Sequence, residues 1–173
     1  MKRIKICSIV LIILLLSGTS FALNIPEFGL GCATSFISHE LGHYIVGNST
    51  GKLWFEMRNG LPYWYYDGDE LFETASAGFA TDLMMREYYL QKKPEGDFWK
   101  GIFWYSILHH ILYCFNDSGD VSAMHEASGI EIGTIHSVLA ILTVLDIYRY
   151  MNNDNSILSI TPKGLAIGYT ICF

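Results

Sequence analysis

His39-Glu40-Leu41-Gly42-His43 is the stretch best equipped for chemistry. On a helix, two histidines four residues apart leave the same face. That spacing lets both imidazoles grip one metal ion, usually zinc. Glu40, one step round the helix, is placed to take a proton from a water activated by the metal and pass it to a leaving amine. Phe36 and Ile37 before the motif, and Tyr44, Ile45 and Val46 after it, continue an apolar helix, so the motif is expected in buried surface.

A catalytic zinc site usually takes three protein ligands and keeps one position for water. Asp120 is the first choice for the third, because the break Asn116-Asp117-Ser118-Gly119 could turn its carboxylate back into the bundle. The plain reading of Asp120 is a helix N-cap for the segment from Val121. Glu73 and Asp82 on the preceding helix compete with it. Asp146 comes last, since Arg149 at i+3 makes an ordinary helix ion pair the simpler role. His109, His110, His125 and His136 are spare, and read first as core or polar-face residues. One of them, or Asn116, could steady an oxyanion.

The elements that must position these residues can be traced from the chain. Phe28 to Gly47 reads as a helix of 20 residues, long enough to span a bilayer, and ionisable groups at such depth point to a functional site facing the protein interior. Asn59-Gly60 between the aromatic-rich runs 53–58 and 61–66 predicts a β-hairpin, with Pro62 favouring an edge strand. Such a hairpin would pack its aromatics on the helices or at a membrane interface, or offer its edge to an extended peptide. Leu71 to Leu90 reads as a helix whose patch Ala75-Ser76-Ala77-Gly78 allows another helix to approach closely. Helices are expected at 99–115 and 130–151, a short one at 121–128, and a closing hairpin from the period-two pattern of 165–173.

Apolar residues make up 51% of the 173, and charged residues only 16%, which leans toward a membrane-associated chain. The formal charge is −6 with no basic stripe, so nucleic acid is not an expected partner. Lys2, Arg3 and Lys5, the apolar run Ile6 to Leu16, and Ser20 and Ala22 before a cut form a secretory signal. Residues 1–22 are therefore read as a signal peptide or N-terminal anchor, and 23–173 as one domain. Cys7, Cys32, Cys114 and Cys172 are scattered and suggest neither a disulfide framework nor a cysteine metal site.

The order of these features resembles the site-2 protease-like intramembrane zinc metallopeptidases. The motif His39-Glu40-Leu41-Gly42-His43 lies in a membrane-compatible helix, and a Gly-flanked aromatic hairpin follows. Ala75-Ser76-Ala77-Gly78 is similar to the family's Ala-Ala-Gly-Pro segment, with Phe79 at the proline. Asn116 to Asp120 resembles its Asn-x-x-Pro…Asp-Gly segment, with Val121 at the glycine after the aspartate. The resemblance covers roughly Phe28 to Gly129. It implies a metal held by His39, His43 and Asp120, with Glu40 as general base.

The expected fold is mainly α: a small membrane-associated bundle of about four helices after the signal segment, with one or two β-hairpins. The expected function is a zinc-dependent peptidase hydrolysing a peptide bond in or near the membrane, with the bilayer and a peptide or membrane-protein substrate as partners. Such an enzyme needs a polar approach to His39 and His43. Two other readings stand beside it. One is an N-terminally anchored, soluble-type metallopeptidase with Glu73 or Asp82 as third ligand. The other is a non-catalytic metal-binding or structural membrane protein.

Overall fold

The computed structural model describes residues 23–58, 61–152, 156–161 and 164–169. The signal segment, Cys7, Cys172 and the two turn pairs Asn59-Gly60 and Pro162-Lys163 lie outside the described residues. Among the described residues five helices and two hairpins follow in the order α1 (Ile25–Thr50), β1 (Gly51–Arg58), β2 (Leu61–Gly68), α2 (Leu71–Lys92), α3 (Asp97–Tyr113), α4 (Asp120–Ser128), α5 (Ile132–Asn152), β3 (Ser156–Thr161) and β4 (Gly164–Tyr169). The chain is mainly helical, as its sequence suggests, with the short α4 as the fifth helix.

α1 is the central element, packed against both α2 and α3. It runs 26 residues and extends past the expected range at both ends. Asn24 is its N-cap: its Oδ1 accepts from the Glu27 amide, and Pro26 fits the first turn. At the other end the Ser49 and Thr50 hydroxyls donate back to the Val46 carbonyl, so the helix persists to Gly51.

The buried face of α1 is Gly31, Ser35, His39, His43 and Gly47, at strict four-residue steps. These residues are small or polar. Its large apolar residues Leu30, Ile37, Leu41 and Ile45 are exposed. The usual amphipathic order is thus inverted. Small residues let backbones close in. A Cβ on Gly42 would meet Ala77 of α2 and one on Gly101 of α3 would meet the α1 backbone at Phe28.

β1 and β2 pair antiparallel from Gly51↔Gly68 to Arg58↔Leu61, the register required by a two-residue connection at Asn59-Gly60. This hairpin rests on α1. β3 and β4 pair from Ser156↔Tyr169 to Thr161↔Gly164.

Two apolar clusters fill the bundle. Phe79, Val121, Ile135 and Leu139 join α2, α4 and α5, while Tyr89, Leu90, Phe103 and Ile107 join α2 and α3. Among the described residues one helix, α5, is long and apolar enough to cross a membrane. The expectation placed such a span at Phe28 to Gly47. α1 has the length, but its serines, histidines and Glu40 lower its hydropathy.

Candidate metal centre

His39 and His43 are both buried on the inner face of α1. They have this room because α2 passes with Gly78 opposite them. A Cβ there would meet His39 Nε2 at 2.5 Å and crowd His43 Nε2 as well. The small-residue patch seen in the sequence therefore accommodates the imidazoles.

Each ring is turned by a partner on α2. His43 Nδ1 lies 2.7 Å from the Thr74 carbonyl oxygen. A carbonyl can only accept, so Nδ1 donates and Nε2 keeps its lone pair in the neutral ring. His39 Nδ1 lies 3.0 Å from Asp82 Oδ2, which fixes its tautomer in the same sense. The two Nε2 atoms face each other at 3.1 Å.

Asp120 completes the group. Its Oδ2 lies 3.4 Å from His39 Nε2 and 3.3 Å from His43 Nε2. The N-cap of α4 is Gly119, at φ 67°, and no side chain caps the helix. Asp120 opens the first turn and turns its carboxylate inward instead of capping. Tyr113 Oη donates to the same Oδ2 at 2.8 Å. Burial would raise the Asp120 pKa, but hydrogen bonding to the two imidazoles outweighs it and holds the carboxylate well below its usual range.

Without a metal, an imidazolium N–H can hold the carboxylate in this way; with both rings neutral, three lone-pair-bearing atoms converge, two imidazole nitrogens and a carboxylate oxygen. A cation between them removes their mutual repulsion, and this group could hold a metal ion. A second group of possible ligands, His39, Asp82 and His109, overlaps it through His39.

The other candidates fall in different places. Glu73 is exposed in the first turn of α2. Asp82 is fully buried and orients His39 rather than joining Asp120 at the Nε2 side. His109 Nδ1 and His110 Nε2 approach the same Asp82 Oδ2 at 3.3 and 3.4 Å. Asp146 does pair with Arg149, at 3.1 Å, and also with Arg86. His125 faces the Ile130 carbonyl and His136 the Asn116 carbonyl. The Asn116 side chain accepts from Ser118 within its own turn.

Glu40 is held from another direction. Its Oε2 accepts from the indole Nε1 of Trp64 on β2, at 2.5 Å. The hairpin is therefore tied to the residue beside the histidines.

Sequence reasoning missed Tyr113 and the Thr74 carbonyl. A tyrosine at the end of an apolar helix reads as core, and a backbone carbonyl carries no sequence signal. Phe79, where the resemblance has proline, packs edge-on against His39 and Tyr113. Val121, at the second departure, lies in the same apolar cluster as Phe79. No known family model matches the chain, and no curated protein or solved structure matches it.

Proposed function

We propose that this chain is a membrane-associated zinc peptidase of the site-2 protease-like kind, with His39, His43 and Asp120 as metal ligands and Glu40 as general base. The observation that carries this reading is the spacing of the three ligand atoms. Corners of a tetrahedron with zinc–ligand bonds of about 2.0–2.1 Å lie about 3.3–3.4 Å apart. The three separations here are 3.1, 3.3 and 3.4 Å. Each ligand also has a partner behind it: Asp82, the Thr74 carbonyl and Tyr113.

When bound, zinc would supply Lewis acidity, polarising a peptide carbonyl and lowering the pKa of water. Glu40 would take the proton of the attacking water and deliver it to the leaving amine. Trp64 would hold the Glu40 carboxylate while it waits. Water would have to approach along Asp120, whose side chain is 19% exposed while both imidazoles are buried.

The membrane part of the reading rests on the inverted surface. Only 33% of the apolar window of α5 is buried in the protein, which is low for the core helix of a soluble domain. Val138, Ile141, Val144 and Tyr148 of α5 are exposed, as are Leu30, Ile37, Leu41 and Ile45 of α1. Trp54, Tyr63 and Phe55 of the hairpin would lie at the lipid–water boundary. Retention of the full chain in membranes after alkaline carbonate extraction is the expected result. Release of the chain would favour the anchored soluble-type reading.

Metal content of the purified full chain tests the site. The wild type should carry about one zinc, kept in Glu40→Gln and lost in His39→Ala and Asp120→Ala. Cleavage of a dye-labelled unfolded polypeptide should follow zinc in all but Glu40→Gln, which should be inactive with its metal in place. A zinc-loaded wild type that cleaves nothing would leave the non-catalytic metal-binding reading. A wild type that takes up no zinc would sink the metal reading altogether.

A further inference from the structure

We propose that Arg86 and His110 are positioning residues for the metal ligand His39, acting through a relay of polar contacts whose direction is fixed at its buried end. The proposal rests on the metal reading of the His39 site and concerns residues that touch neither metal ligand oxygen nor Nε2. A guanidinium only donates hydrogen bonds. Arg86 Nη2 lies 3.1 Å from His110 Nδ1, so this nitrogen must accept, and the neutral ring carries its proton on Nε2. That N–H lies 3.4 Å from Asp82 Oδ2, an electrostatic contact rather than a formed hydrogen bond, and it is buried with no hydrogen-bond partner among the described residues.

Asp82 Oδ2 also meets His39 Nδ1 at 3.0 Å and His109 Nδ1 at 3.3 Å. One carboxylate oxygen therefore faces three imidazole nitrogens. With N–H groups directed at it, it stays an acceptor, and His39 must turn its own proton toward it. That leaves the His39 Nε2 lone pair for the metal. The opposite His110 tautomer would set a bare Nε2 against the Asp82 oxygen, lone pair to lone pair, and push the carboxylate away from His39. Arg86 forbids that tautomer.

Arg86 is held in turn by α5. Its Nε pairs with Asp146 Oδ2 at 3.2 Å, and Asp146 Oδ1 accepts from Arg149 Nη1 at 3.1 Å. Arg149 reaches Glu87 at 2.8 and 3.0 Å. α5 supplies no ligand, yet it anchors the far end of the relay.

The test is zinc affinity and the cobalt(II) absorption spectrum of the full chain in detergent, with helix content checked by circular dichroism. His110→Leu should weaken zinc about 10- to 100-fold and shift the cobalt bands, as loss of a partner behind a ligand does. His110→Gln supplies an amide N–H that needs no tautomer and should recover most of the affinity. Replacing the ion pair as a unit, Arg86→Met with Asp146→Leu, should weaken zinc in the His110 protein. It should have no further effect when combined with His110→Gln. If that variant does not fold, the His110→Leu and His110→Gln pair decides alone. Unchanged affinity and spectrum in folded His110→Leu, equal loss in both His110 variants, or additive losses with the ion-pair variant would overturn the relay. These outcomes leave wild-type zinc binding intact, whereas a wild type without zinc overturns the metal reading and the relay together.

Discussion

Asp82 of α2 faces the His39 imidazole of α1, and one helical turn on, Arg86 faces Asp146 of α5. Both regions are buried and ionic, and they are balanced in opposite ways. Around Arg86 the charges close on themselves: two guanidiniums, Arg86 and Arg149, meet two carboxylates, Asp146 and Glu87. Beside His39 the two Nε2 atoms and the Asp120 Oδ2 converge, and the ion pairs they make among the described residues are with one another and not with a lysine or arginine. A self-neutralised cluster holds helices together. A cluster of converging lone pairs is complete only with a cation. The first kind costs stability when one partner is removed; the second loses its ligand and less stability.

The largest expected contrast is in metal binding. His43→Ala should reduce zinc affinity at least about a thousandfold, while the metal-free protein loses only about 1–3 kcal/mol, for the buried Thr74 carbonyl left without its donor. Zinc at about a thousand times its Kd should stabilise the wild type by about 4 kcal/mol and the variant not at all. Equal stabilisation of both would erase the distinction between the two clusters.

Arg86→Met alone should show its larger effect in folding stability, with only the modest loss of zinc affinity expected of a residue behind His39. It strands Asp146 beside a single guanidinium in buried surface and should cost about 3–5 kcal/mol of folding free energy, measured by denaturant titration in detergent. At the same zinc concentration the variant should be stabilised less than the wild type, because the relay behind His39 is cut at Arg86. A cost below about 1 kcal/mol would mean that water reaches the Arg86 cluster.

Gly78→Ala sharpens the comparison from the side of packing. The added methyl must displace both imidazoles or part α1 from α2. Zinc affinity should fall more than about tenfold with helix content retained. The matching change Gly133→Ala, where nothing lies within 4 Å, should leave zinc binding unaltered.

What the sequence disclosed follows the same division. Apolar runs and the turn residues between them located every helix among the described residues, and Asn59-Gly60 set the hairpin register, because local composition and turn chemistry carry that information. His39 and His43 were visible because both ligands come from one turn-spaced motif. Asp120 could be ranked but not separated from Asp82, because a carboxylate's partner depends on how α4 and α2 dock on α1, and no local pattern encodes that. The structure gives the two aspartates different nitrogens of the same ring. The Arg86 cluster was visible only as Asp146 and Arg149 at i+3, since its remaining members come from α2. The ends of α1 were misplaced because Asn24 and Ser49 read as loop residues, yet their side chains satisfy helix-terminal backbone groups.

Trp64→Phe should have the smallest effect, and it tests whether the hairpin belongs to the metal cluster or only leans on it. The indole N–H donates to the Glu40 carboxylate at 2.5 Å, and a second link joins the Tyr66 hydroxyl to Thr50 Oγ1 at 2.9 Å. Removing a hydrogen bond to a charged group costs about 1.5–3 kcal/mol when it is buried, and less where water can replace it. Trp64 and Glu40 are both partly exposed, so about 1 kcal/mol is expected, localised to β1 and β2. Amide exchange across 51–68 should accelerate several-fold while exchange in α1 and α2 stays unchanged. Zinc content should not move, because Glu40 is no ligand in the proposed site. A fall in zinc content would show that the hairpin holds the His39 cluster in shape, and would make the metal centre a product of the whole α1–hairpin unit.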